Sequence, residues 1–122
     1  MSDNRETVIE EYGQDCQIVH EVRDYPDQYH FEDSNGRMRT FESIHEARLY
    51  ADLYTVTGGF NEKQTGNRGV PPAIARASDE IRMTYLAVQM SITYAARAFA
   101  VDESTVCDTI NRIHARAEKQ RP

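Results

Sequence analysis

Cysteine is scarce in this chain. Cys16 and Cys107 are the only two, which excludes a disulfide framework, and their spacing matches no zinc-binding pattern. A reducing, cytoplasmic setting is therefore expected. Long apolar runs are absent as well. No stretch reaches 18 consecutive apolar residues, so no membrane-spanning helix is expected. Met1–Glu11 is polar and acidic with no apolar core, unlike a signal peptide. Lysine is almost missing, since all bases except Lys63 and Lys119 are arginine. No nucleophile–base pair, phosphate loop or paired-carboxylate motif stands out, so the chain does not read as an enzyme. His20, His30, His45 and His114 show no ligand spacing on one helix, so no metal and no cofactor is expected.

What the chain does have is acid. Its 122 residues, enough for one domain or two small ones, carry a net charge of −6. That average argues against a nucleic-acid partner, but it conceals a split. Residues 1–65 hold 14 acids and 6 bases, a net of −8, whereas residues 66–122 hold 6 acids and 8 bases, a net of +2. The two halves face different electrostatic tasks.

Four segments follow from the pattern. Residues 1–15 show no clean periodicity and read as a flexible N-terminus. Residues 16–59 read as a β-β-β-α module for dimerisation or partner docking. In it Gln17–Arg23 and Gln28–Asp33 flank the turn Asp24-Tyr25-Pro26-Asp27, and Asn35-Gly36 is a strong hairpin signal leading to Arg37–Phe41. With Arg23 opposite Gln28, His20 would face Phe31 and His30 would face Glu21. Ser43 and Glu46 form a capping box for a helix through Ile44, Ala47, Ala51 and Tyr54, which Gly58-Gly59 ends. Tyr50, Tyr54, Tyr29 and Phe31 are expected to form core or a dimer face, with a small-molecule effector pocket as the sharper alternative. Residues 60–77, with Gly66, Gly69, Pro71 and Pro72, read as a linker or arm. Residues 78–122 read as three helices, capped at Ser78, Ser91 and Asp102. The expected class is therefore α+β: a small three-stranded antiparallel sheet with one helix, followed by a trihelical helix-turn-helix module.

Ala96, Val101, Val106 and Ile110 supply the small residue, the apolar residue after the turn and the β-branched plugs that two steeply crossing helices require. The stretch from Met90 to Val106, with Ala95-Ala96, Phe99-Ala100-Val101 and Ser104-Thr105-Val106, resembles the helix-turn-helix of the resolvase/invertase DNA-binding domain and related transcription regulators. The resemblance covers about residues 67–116. It implies that Arg68 enters the minor groove, that Ser91 and Thr93 touch phosphate, and that Ser104 and Thr105 open the recognition helix. Glu103, Asp108, Asn111 and Arg112 share the polar side of that helix, while Arg97, Arg112 and Arg116 would position the DNA backbone. Three departures stand out: the family's turn glycine is Ala100 here, its usual glycine before the second helix is Gln89, and often-basic reading positions are Glu103 and Asp108. The family's recombinase catalysis is not implied, because residues 1–65 do not resemble that catalytic domain.

Together these features predict a homodimeric, sequence-specific regulator of transcription, a repressor reading double-stranded DNA at a palindromic operator. The competing expectation is an acidic adaptor or anti-regulator that uses the helical module for protein contacts.

Overall fold

A computed structural model describes residues 5–61 and 70–121. Among them are four strands, β1 (Glu6–Tyr12), β2 (Cys16–Glu21), β3 (Gln28–Asp33) and β4 (Gly36–Phe41). Five helices follow, α1 (Ile44–Thr57), α2 (Pro72–Ala75), α3 (Asp79–Gln89), α4 (Ile92–Phe99) and α5 (Glu103–Gln120). The strands form one antiparallel sheet in the order β1-β2-β3-β4. The described residues divide into two compact units. The first runs to Ala51 and takes in Arg121, and the second is Asp52–Gln120. The boundary falls within α1.

The three-stranded expectation is corrected to four strands, with β1 the strand that was missed. Its residues pair with β2 from Glu6↔Glu21 to Tyr12↔Cys16, but the register shifts between Val8 and Glu10. A bulge of this kind breaks the two-residue alternation by which a strand is recognised. The count of one helix followed by three is corrected as well. α2 lies in the stretch read as linker, where Pro72 at its start suits a helical first turn. The register across the first turn also differs from expectation. Glu21 pairs with Gln28, so His20 faces Tyr29 and His30 faces Val19. The loop takes in all of Val22–Asp27 rather than Asp24–Asp27 alone, which moves every pair by two residues and so keeps each side chain on its expected face.

In the first unit the core forms where the sheet presents its apolar side. Ile18 and Phe31 are cross-strand partners, and neither has any exposed surface. The Phe31 ring meets Tyr50 edge-on at 5.3 Å and Tyr12 at 6.5 Å, and Phe41 lies 5.4 Å from Tyr50. Ala47, Tyr50 and Ala51, at three- and four-residue spacing, form the buried stripe of α1 within this unit. Ser43 Oγ accepts the backbone N–H groups of His45 and Glu46 at the helix start, at 3.2 and 3.5 Å.

The second unit is helical. Tyr54 lies 5.2 Å from Phe60, which in turn meets Tyr85 edge-on at 5.9 Å. Met83, Ala95, Ala96 and Val106 form a buried cluster, with Leu86, Ala87, Phe99, Val101 and Ile110 packed around it. Of the residues expected to make a tight helix pair, Ala96 and Val106 lie in this cluster and Val101 and Ile110 pack against it. Small alanines on α4 let the α5 plugs approach closely, so the packing fixes both helices relative to α3. No helix among the described residues is long and apolar enough to cross a membrane.

Candidate nucleic-acid interface

The interface is built from a turn upward. α4 ends at Phe99, and Ala100 follows with φ 56° and ψ 47°, the left-handed conformation that usually takes glycine. Its N–H bonds back to Arg97 O at 3.2 Å, and the N–H of Val101 bonds to Ala96 O at 2.9 Å. Ala100 is therefore the position at which the resemblance calls for glycine, and it adopts the glycine-like geometry without the glycine. Val101 then turns inward to the cluster. Asp102 O accepts the N–H groups of Thr105 and Val106 at 3.0 and 3.3 Å, which starts α5.

Burial decides which side of α5 faces outward. Val106, Thr109, Ile113 and Ala117 are buried. At 100° per residue, Ser104, Asp108, Asn111 and Ala115 lie within about 60° of one another on the opposite side, and all four are exposed. Thr105, Arg112 and Arg116 form one flank of that row, and Glu103 and Cys107 form the other. All of these are exposed too.

Two flanking side chains are already engaged. Thr93 Oγ1 donates to Glu103 Oε2 at 2.8 Å, which ties the start of α5 to α4. Arg112 Nε donates to Glu80 Oε2 on α3 at 2.8 Å, and its Nη2 donates to Thr109 Oγ1 at 3.1 Å. The hydroxyl of Ser91 is occupied as well, since it caps α4 by accepting the Tyr94 N–H at 2.9 Å. Among the described residues, Ser104, Asp108, Asn111, Arg97 and Arg116 have side chains without a hydrogen bond or ion pair. The middle of the row is thus an unpartnered hydroxyl, carboxylate and amide, with free guanidinium groups on Arg97 and Arg116. This arrangement can contact polar groups of another molecule without first giving up bonds of its own.

The structure places Ser91 at the cap of α4, Thr93 and Arg97 on α4, and Glu103, Ser104, Thr105, Asp108, Asn111, Arg112 and Arg116 on α5, all of them exposed. Arg68 lies outside the described residues. Sequence reasoning missed two features. Met90, Ile92 and Tyr94 are unusually exposed for their type, at 60, 36 and 48 %, and they surround the start of α4. A helical wheel reveals this for Tyr94 alone, which lies about 150° from the middle of the buried Ala95–Ala96 side, whereas Ile92 falls on that side and Met90 precedes the helix. The second is Glu80 as the partner of Arg112, 32 residues away, a pairing that no local pattern signals.

Elsewhere, two of the histidines are satisfied internally. His30 is buried, and its Nδ1 and Nε2 lie 2.7 Å from Thr40 Oγ1 and Glu21 Oε1. His20 Nε2 lies 2.9 Å from Asp27 Oδ2. These contacts hold the carboxyls of Glu21 and Asp27 below their ordinary values, in each case chiefly through the hydrogen bond from the histidine. Burial pushes the Cys16 thiol up, with Asp33 and Asp15 adding to the effect. No group of three or more His, Cys, Asp or Glu converges in a metal-binding arrangement among the described residues. The strand and helix aromatics Phe31 and Tyr50 are fully buried in the core of the first unit. No protein-family model, no curated protein and no solved structure matches the chain.

Proposed function

We propose that the chain is a sequence-specific DNA-binding regulator of transcription that acts in the cytoplasm as a homodimer and represses from a palindromic operator. One observation carries this reading. α4 and α5 are joined through a left-handed Ala100, and the first turns of α5 expose an unpartnered polar row beside free arginines. An α-helix presented in this way fits the major groove, with its N-terminal side chains at base edges and the preceding helix against the backbone. Arg97 and Arg116 act as phosphate contacts. The first unit, with its excess of acid, is the element that dimerises or docks a partner.

A two-fold regulator protects half-sites about 10 bp apart, or a multiple of that spacing. The test is a mobility-shift and footprinting assay of the full chain on the DNA upstream of its own gene, at several salt concentrations. A specific footprint lost on Ser104→Ala plus Thr105→Ala, with the fold intact by circular dichroism, supports the reading. Absence of protection at every salt concentration rejects it.

A second reading has its own support in Arg112, which Glu80 neutralises, and in the acids Glu103 beside the row and Asp108 within it. An acidic adaptor using this surface would bind a basic protein and leave no footprint. A defined heteromeric complex from native lysate, disrupted by Asp108→Lys, would favour it.

A further inference from the structure

The exposed row of α5 contains one charged side chain in its centre, and that charge is negative. Glu103 stands to one side, held by Thr93. Arg112 stands to the other, held by Glu80. Asp108 has no such partner, and it sits one helical turn from Ser104 and three residues before Asn111.

A carboxylate facing a major groove meets base edges of two kinds. Cytosine presents the N4 amino hydrogen and adenine the N6 amino hydrogen, whereas guanine presents O6 and N7 and thymine presents O4. A carboxylate has only acceptors to offer. It gains a hydrogen bond from an amino group and is repelled by carbonyl oxygens, so it selects as much by rejection as by attraction. Adenine also places acceptor N7 beside its amino group, which leaves cytosine the better partner. An asparagine amide, by contrast, matches adenine N6 and N7 in bidentate fashion.

Resting on the DNA-binding reading above, we propose that Asp108 sets the sequence preference at one base pair of the half-site by accepting a hydrogen bond from cytosine N4, with Asn111 pairing adenine beside it. Three residues of helix advance about 4.5 Å and one base step about 3.4 Å, which places the two contacts on neighbouring base pairs. The acid thus works against affinity, through repulsion by phosphate, and for discrimination, through rejection of guanine and thymine. This gives the two acids on a reading helix different roles: Glu103 is fixed to α4, and Asp108 reads.

The experiment is selection from a random duplex pool with the full chain, in parallel with Asp108→Asn and Asp108→Ala. Asp108 is exposed and unbonded, so both variants are expected to keep the fold, which circular dichroism verifies. The wild-type chain should enrich a half-site with cytosine at one position and adenine next to it. Replacing that C·G pair by T·A should weaken binding about tenfold. Asp108→Asn should move the preference at that single position to adenine and leave the others unchanged. Asp108→Ala should flatten it while strengthening binding to unselected DNA. An enriched half-site that Asp108→Asn and Asp108→Ala leave unaltered overturns the role of Asp108 and leaves DNA binding standing. A folded wild-type chain that enriches nothing overturns both.

Discussion

His30 in the sheet unit and Thr84 in the helical unit are both buried polar side chains, and they fare in opposite ways, although Thr109 and Asp52 of the helical unit are buried and bonded. In the sheet, His30 is almost fully buried, yet both ring nitrogens have partners 2.7 Å away. Arg37 joins Glu6 of β1 to Glu32 of β3 at 2.7 and 2.9 Å, and those two ion pairs raise the already high pKa of its guanidinium. In the helical unit, the Thr84 hydroxyl has no exposed surface and no hydrogen-bond partner. On its surface the row Ser104, Asp108 and Asn111 is likewise unpartnered. Much of the sheet's acid is therefore consumed within the sheet, and the net of −8 in residues 1–65 overstates what a partner would meet. The helical half, nearly balanced in charge, is where unused polar groups face outward.

The strongest way to break this comparison is to remove the sheet's core. Phe31→Ala deletes a fully buried ring that meets Tyr12 and Tyr50, and it should cost about 3–5 kcal/mol. Urea unfolding followed by circular dichroism measures the loss. A cost below about 1 kcal/mol would mean that the sheet's polar pairs hold it together without that core.

The next effect has the opposite sign. Thr84→Val keeps the shape of the side chain and removes an unsatisfied buried hydroxyl, so it should raise stability by about 1–2 kcal/mol. The equivalent exchange in the sheet, His30→Leu, should lower it, because it strands Thr40 and Glu21 without their shared partner. Thermal melting of the two variants side by side tests whether satisfied and unsatisfied burial separate His30 from Thr84 in energy. A Thr84→Val chain no more stable than wild type would remove that distinction.

How far the sequence foretold this arrangement depended on whether the signal was local. The Asn35-Gly36 hairpin was readable because only a residue tolerant of positive φ fits there, and Gly36 indeed has φ 119°. The caps Ser78 and Ser91 were readable because a hydroxyl before an apolar-periodic run answers the free N–H groups of a first turn, and both accept such bonds. β1 was not, because its bulge places Val8 and Ile9 out of alternation. The β2–β3 register was not, because Pro26 marks a turn without fixing its length. Most of the candidate site lay in plain view as the polar side of α5, but the roles of its members did not. That Glu103 is held by Thr93, Arg112 by Glu80, and Asp108 by nothing depends on contacts between helices.

Acid should act on the sheet through Glu21 and Asp27. A carboxyl whose pKa is lowered on folding stabilises the folded chain only while ionised. That contribution is complete above the ordinary values of 4.5 for Glu21 and 3.8 for Asp27, and it disappears as pH falls through the lower folded values. The thermal midpoint should therefore drop between about pH 5 and about pH 3, and by less in Glu21→Gln, which keeps an acceptor for His30 but does not titrate. Equal drops in both chains would show that the buried histidine pair contributes nothing to acid sensitivity.

The smallest effect on stability carries the most information about function. Glu80 and Arg112 form an exposed pair across α3 and α5, with side chains 40 and 54 % exposed, and such pairs contribute about 0–1 kcal/mol. Glu80→Gln should thus leave unfolding nearly unchanged. It also releases a guanidinium beside the reading row, where it can neutralise one more phosphate. Binding to DNA should strengthen, and the slope of log K against log salt should steepen by about 0.9, the increment for one released counterion. If affinity rises without a change in slope, Glu80 acts by simple repulsion of the DNA, and Arg112 stays out of reach of the backbone. If neither changes, the pair lies away from the bound DNA, and α5 meets its partner only through the row from Ser104 to Asn111.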